Sequence, residues 1–278
     1  METTPVDAAT AAAIEAAEAR AWEDVYAAAP RDWAADVGLG TRWVGETLVL
    51  HWTATGRRYF SRAIGLGVTE PAEERLVDEV LSVWERLGIG MCLVQSMPHC
   101  LPAAYEGWLQ ERGLRPFDTQ DRIVRMDGAT VSPSAPSERA LTVERVQRST
   151  AEEWSSFLQR IYRLDAGPWL PLLIDRPGWY QYVAREQGQI VAARGMHVGA
   201  DGIAWLGMDG PVPGVMSADY APDAAICAAI VADGPELGAH TFIADIELPS
   251  DAMDTPAYAD FADLGFSRPY TRTHWARV

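Results

Sequence analysis

The chain carries the same ordered series of punctuation twice, and a duplicated series limits the folds open to it more than any single segment does. Leu87-Gly88 precedes a short apolar run, a helical pattern and then Gly113-Leu114, while Leu237-Gly238 precedes the same series and then Gly265-Phe266. Gly88 and Gly113 stand 25 residues apart, and Gly238 and Gly265 stand 27 apart. The flanks repeat too, as Arg115-Pro116-Phe117 and Arg268-Pro269-Tyr270. Glycine stops helices in any fold, but an ordered series with matching flanks points to a duplicated unit. Between the copies, Ser132-Pro133-Ser134-Ala135-Pro136-Ser137 reads as a linker. The expected organisation is a domain over residues 1–131, a linker over 132–138 and a second domain over 139–278, each of a size that folds alone.

Hydrophobic periodicity fills in both copies. In the first, Ile14, Ala21, Trp22, Val25 and Tyr26 share a helical face, Leu48, Leu50 and Trp52 alternate as in a strand, and residues 59–67 read as a second strand. Leu76, Val80, Val83, Trp84 and Leu87 form the stripe of a helix over 70–87, followed by a strand over 89–94, a helix around Tyr105 to Leu109 and a strand over 122–126. In the second copy, a strand over 141–146 leads into a helix marked by Trp154, Phe157, Leu158, Ile161 and Tyr162. A hairpin over 180–198 turns at Gln187-Gly188, with a further strand over 203–208. A helix over 221–232, a strand over 241–246 and a helix carrying Tyr258, Phe261 and Leu264 complete the pattern. The fold class expected is α/β, two tandem units, each a mixed sheet flanked by helices.

The closing segment Phe261-Ala262-Asp263-Leu264-Gly265-Phe266 and the hairpin around Gln187-Gly188 followed by Ile190-Val191-Ala192 resemble the GNAT N-acetyltransferase superfamily in its tandem-domain form. The resemblance covers nearly the whole chain as a pattern. It implies an acyltransferase that moves an acyl group from acetyl-CoA or another acyl-CoA onto an amine of a small molecule, with the first copy a degenerate partner. The family's diagnostic Arg/Gln-x-x-Gly-x-Gly/Ala loop, whose amides cradle the coenzyme diphosphate, is missing from both copies. Gly65-Leu66-Gly67-Val68 leaves little loop before a helix that opens with Glu70, Glu73 and Glu74. The stretch from Pro213 to Asp223 is long enough for a loop, but it sets Asp219 and Asp223 where a diphosphate would dock.

The resemblance assigns roles in the second copy. Glu247 or Asp209, each just past or at the end of a strand, would deprotonate the amine. Backbone amides near Met208 and Gly210 would polarise the acyl carbonyl, and Gly214 and Ser217 would belong to the coenzyme loop. A tyrosine often stands four residues before the late glycine as proton donor; Phe261 occupies that position, and Tyr258, one turn earlier on the same face, is the substitute. Trp169, Trp179, Tyr182 and Trp205 would wall the acceptor pocket, although core filling accounts for them equally well.

Composition narrows partners rather than fold. Thirty-nine acidic against 23 basic residues give a net charge of −16, which argues against nucleic acid and anionic membrane and suits a small-molecule substrate. No run of about eighteen apolar residues suggests a membrane span, and no secretory leader pattern opens the chain. Cys92, Cys100 and Cys227 lack CxxC spacing, so a reducing cytoplasm is the expected setting. The five histidines show no metal-ligand spacing, so no metal is expected. Two alternatives stand beside acyl transfer: an enzyme on the same scaffold that no longer uses coenzyme A, and a non-catalytic small-molecule-binding or scaffolding protein. Substrate and oligomeric state stay open.

Overall fold

The computed structural model describes residues 1, 3–129, 140–247 and 256–277. Contacts divide the chain into two units: an N-terminal unit of Val6–Gln120 with Tyr270–Val278, and a C-terminal unit of Met1–Pro5 with Asp121–Pro269. The division therefore differs from a cut near residue 131, since each unit takes a segment from the other half of the sequence. The expected linker, 132–138, lies outside the described residues.

The N-terminal unit begins with helix α1 (Ala8–Ala27), whose N-cap Asp7 accepts the Thr10 amide at 2.7 Å, and a short α2 (Arg31–Val37). Strands β1 (Leu39–Val44), β2 (Thr47–Trp52) and β3 (Arg62–Ile64) pair antiparallel in succession, and β3 pairs parallel with β4 (Leu93–Ser96). A parallel pair needs a crossover, and α3 (Glu74–Arg86) supplies it. Helix α4 (Tyr105–Glu111) leads into the long β5 (Leu114–Arg125), and the chain's last strand, β11 (Ser267–Arg277), lies between β4 and β5. Val77, Val80, Leu81 and Trp84 of α3 pack with Val49, Ala63, Val94 and Trp275 as one core.

The C-terminal unit also combines antiparallel strands with one parallel crossover pair. Strands β6 (Leu141–Arg145), β7 (Trp179–Glu186), β8 (Gln189–Val198) and β9 (Ile203–Gly210) pair antiparallel. Strand β9 then pairs parallel with β10 (Thr241–Glu247), through the crossover helix α6 (Ala221–Asp233). The strand order is β5-β10-β9-β8-β7-β6. Helix α5 (Ala151–Tyr162) follows β6, and α7 (Pro256–Asp263) follows β10. Ile226, Cys227, Ile230 and Val231 of α6 bury against Tyr182, Ala192, Met196, Ala204 and Leu206, with Tyr258 and Phe261 of α7, and Leu264 just past it, closing the same core.

Three expectations need correction. Residues 59–67 are not one strand: a 3-10 turn, Arg58–Phe60, precedes the three-residue β3. Strand β5 runs twelve residues rather than the five over 122–126, because its first half has an exposed, charged face that breaks the apolar alternation. Strands β1 and β11 were not expected at all. Strand β1 exposes Arg42 and Trp43, and β11 hides Arg272 and His274 inside the N-terminal unit, so neither reads as a strand with one apolar face.

Candidate functional site

The C-terminal unit buries the Arg194 guanidinium at the heart of its sheet. Arg194 of β8 shares a face with Ala192 and Met196 and is only 3% exposed. Its Nε and Nη2 each reach an Asp223 carboxylate oxygen at 2.9 Å, and Nη2 lies 3.2 Å from Asp209 Oδ2. Its guanidinium also sits 5.9 Å from the centre of the Phe261 ring. Burial opposes the charge on Arg194, but Asp223 and Asp209 outweigh it and hold the group firmly protonated.

A β-bulge brings Asp209 to this cluster. Ala193 pairs with Gly210 and Gly195 with Gly207, so Met208 and Asp209 together stand opposite the single Arg194. Met208 takes a left-handed φ of 54°, which a non-glycine residue rarely adopts. A bulge leaves its extra residue outside the ladder and re-aims a side chain, here the Asp209 carboxylate. Tyr162, at the end of α5, donates its hydroxyl to the Asp209 carbonyl. Burial first, then Asp209 and Glu247, pushes that hydroxyl's pKa far above the ordinary phenol value. Asp209 and Glu247 thus lie near one group, at the C-terminal ends of the parallel strands β9 and β10, where ligand sites of α/β sheets collect.

Beside the cluster, a small, solvent-open cleft lies between α6 and α7, lined by Tyr220, Asp223, Cys227, Asp260, Phe261 and Leu264 among others. Burial, reinforced by Asp223 and Asp263, raises the Asp260 carboxyl above its ordinary value. The same coupling of burial and like charge acts on the Cys227 thiol, which is pushed well up and is no reactive thiolate.

The remaining expected residues go elsewhere. Trp169, Trp179, Tyr182 and Trp205 are 1–3% exposed and fill the core instead of walling the cleft. Trp179 packs edge-on against Trp205 at 6.3 Å, and Tyr182 donates to Asp233 at 2.8 Å. Strands β7 and β9 are buried on both faces, so an aromatic at almost any position along them reads alike as core or as pocket wall, and Trp169 lies off both strands, just before a 3-10 turn. Tyr258 donates its hydroxyl to Asp121, which also accepts Arg268 Nη1 at 3.0 Å. Burial and that carboxylate raise the Tyr258 pKa, so the phenol gives up its proton less readily than usual. Asp245, which shares the Glu247 face, pairs with buried Arg122 at 3.2 Å. Among the described residues, no three or more His, Cys, Asp and Glu are gathered to hold a metal ion, and no helix is long and apolar enough to cross a membrane.

Arg194 and the bulge are the parts that sequence reasoning missed. A lone arginine inside the apolar run from Ile190 to Val198 was a usable signal, since an unpaired buried charge is too costly to keep. The bulge left no such trace.

The resemblance in the sequence implies an acyl-CoA, and the residues at the start of α6 do not fit its diphosphate. Anions bind at helix N-termini through free amides. Here the Ala221 amide already donates to Asp219 Oδ1 at 3.2 Å, Pro222 has no N–H, and the Ala224 amide donates to the Tyr220 carbonyl at 3.0 Å. The preceding loop is tied to itself: Gly214 donates to the Ser217 carbonyl at 2.8 Å, and Asp219 to Ser217 Oγ at 3.1 Å. Each carboxylate about 5 Å from an added phosphate would oppose it by about 2–3 kcal/mol at an effective dielectric of 20–40.

Comparison with solved structures shows the fold. A GCN5-related N-acetyltransferase from Kribbella flavida superposes with a TM-score of 0.58 at 17% identity, over 90% of this chain and 94% of that one. A GNAT-family protein from Novosphingobium aromaticivorans DSM 12444 superposes at 0.50 and 12% identity, over 92% and 96%. A conserved protein of unknown function from Staphylococcus epidermidis ATCC 12228 does so at 0.50 and 10%, over 87% and 96%. No family model matches the chain, and no curated protein matches it. The α/β architecture is thus GNAT-like, at identities that speak for fold alone.

Proposed function

We propose that the C-terminal unit acts on an amine of a small molecule, with Asp209 and Glu247 as the groups that would take its proton, and that the N-terminal unit is its structural partner in a duplicated pair. The observation that carries this reading is the β9 bulge, which turns Asp209 to the same strand ends as Glu247 beside an open, carboxylate-lined cleft. One fixed cation, Arg194, is already matched by two carboxylates, so Asp260 leaves the cleft with a surplus of negative charge. A net charge of −16 would draw a cationic ligand toward it. The bulged strand, with an amide out of its ladder, suits polarisation of a reacting carbonyl. Coenzyme A as donor has the fold in its favour and the start of α6 against it.

Calorimetry with small primary amines and carboxylic acids of matched shape tests the reading. The expected result is saturable binding of an amine but not its matched acid, weakened by about tenfold in Asp209→Asn or Glu247→Gln, the loss of one charge-assisted contact. Equal affinity for amine and acid, or two variants that bind as the parent does, would reject it. Amine binding with no turnover under any donor would favour the non-catalytic alternative.

A further inference from the structure

The structure assigns to Asp219 the place of a bound anion at the head of α6, so that the C-terminal unit takes no acyl-CoA. This goes beyond the amine reading, which says nothing certain of the donor. The amides at the start of a helix that face no earlier carbonyl are the groups an anion needs. In α6 all but one of them are taken or absent. Ala221 gives its N–H to the Asp219 carboxylate, Pro222 offers none, and Ala224 closes the first turn onto Tyr220. Asp223 is the position left, and its side chain is itself a carboxylate locked on Arg194 at 2.9 Å.

The loop that would have to open is held from within. Val212 accepts both Val215 and Met216 amides, Ser217 accepts Gly214 through its carbonyl, and Ser217 Oγ accepts the Asp219 amide that sets the Asp219 side chain toward Ala221. A serine two residues before an aspartate is therefore a positioning device: it orients the internal anion. A diphosphate arriving here would have to evict one carboxylate and lie beside a second. Steric access is not the obstacle, because Val215 and Met216 at the loop tip are exposed. Charge and amide supply are.

The test uses the full chain and two readouts. Calorimetry with coenzyme A and with inorganic pyrophosphate is expected to show no saturable heat up to millimolar ligand. Hydrogen exchange at the Ala221 amide is expected to quicken by about tenfold in Asp219→Ala, the loss of a capping bond of ordinary strength. Asp219→Asn, which keeps an acceptor oxygen and drops the charge, should stay near the parent rate and guards against a general loosening by the alanine. Sub-millimolar coenzyme A binding to the parent overturns the inference, and so does an Ala221 exchange rate indifferent to Asp219→Ala. Because amine binding is measured separately, coenzyme binding together with retained amine binding rejects this inference alone.

Discussion

Arg194 and His274 are the two residues whose burial makes the sharpest claims. Arg194→Met would leave Asp223 and Asp209 facing each other with no cation between them. Removing one partner of a buried ion pair costs about 3–5 kcal/mol, whereas replacing the pair by apolar groups is often neutral. Denaturant unfolding should therefore show a loss of that size for Arg194→Met and recovery of most of it in Arg194→Met with Asp223→Leu. His274 is fully buried and presents Nδ1 to the Asp118 carboxylate at 2.6 Å, while Nε2 has no partner. Burial lowers its pKa, Asp118 opposes that, and Arg272 and Arg62 add to the lowering. Because the folded value lies below the ordinary 6.5, the unfolded chain binds the proton first. The contribution is thus complete above that value and lost as pH falls through and below it. The melting temperature should drop between pH 7.5 and 5, and His274→Gln should flatten that slope.

At the scale of elements, the β7–β8 turn carries Gln187 at φ 50° and Gly188 at φ 80°, the left-handed pair that a two-residue hairpin of this hand requires. Glycine meets the demand freely at 188, but glutamine does not at 187. Gln187→Asn should stabilise the chain by about 0.5–1 kcal/mol, the scale of relieving one left-handed non-glycine residue, measurable as a shifted denaturation midpoint with unchanged slope. That turn was legible in the sequence, as were the hairpin itself, α3 and α5 through one apolar face each, and α6 through its nearly unbroken apolar run behind Pro222. The bulge in β9 was not. It is a property of register between two strands, and Leu206-Gly207-Met208-Asp209-Gly210 reads as a strand end whichever way the ladder is paired. Asp209 and Glu247 are readable from the sequence as strand-end carboxylates, whereas the buried Trp169, Trp179, Tyr182 and Trp205 read alike as core and as pocket wall, because β7 and β9 are buried on both faces.

The whole-molecule question is which piece of chain completes which unit. The repeated punctuation in the sequence leads one to expect two units of one plan, and each unit contains one parallel crossover pair, β3–β4 and β9–β10. The repeat did not reveal that the last strand works in the first unit. There Arg272, fully buried, pairs with Glu15 at 3.4 Å and with Glu18, and holds Gln120 at 3.0 Å. Tyr270 donates to Glu15 at 2.8 Å, and Trp275 Nε1 to Ser96 at 2.9 Å. A fragment of residues 1–131 would keep Glu15 and Glu18 on α1 but lose the tyrosine and guanidinium that make their burial tolerable, along with the Trp275 indole that bonds Ser96. Arg62, 3.3 Å from Glu18, is a single cation and cannot satisfy both. The fragment should therefore lack a cooperative thermal transition and be cut rapidly by protease, although its length is ample for a domain. Supplying residues 267–278 through a short linker after residue 131 should restore a cooperative transition, and Arg272→Ala in that linked form should abolish it again. A fragment 1–131 that melts cooperatively by itself would show that β11 is an accessory to the N-terminal unit and not part of its core.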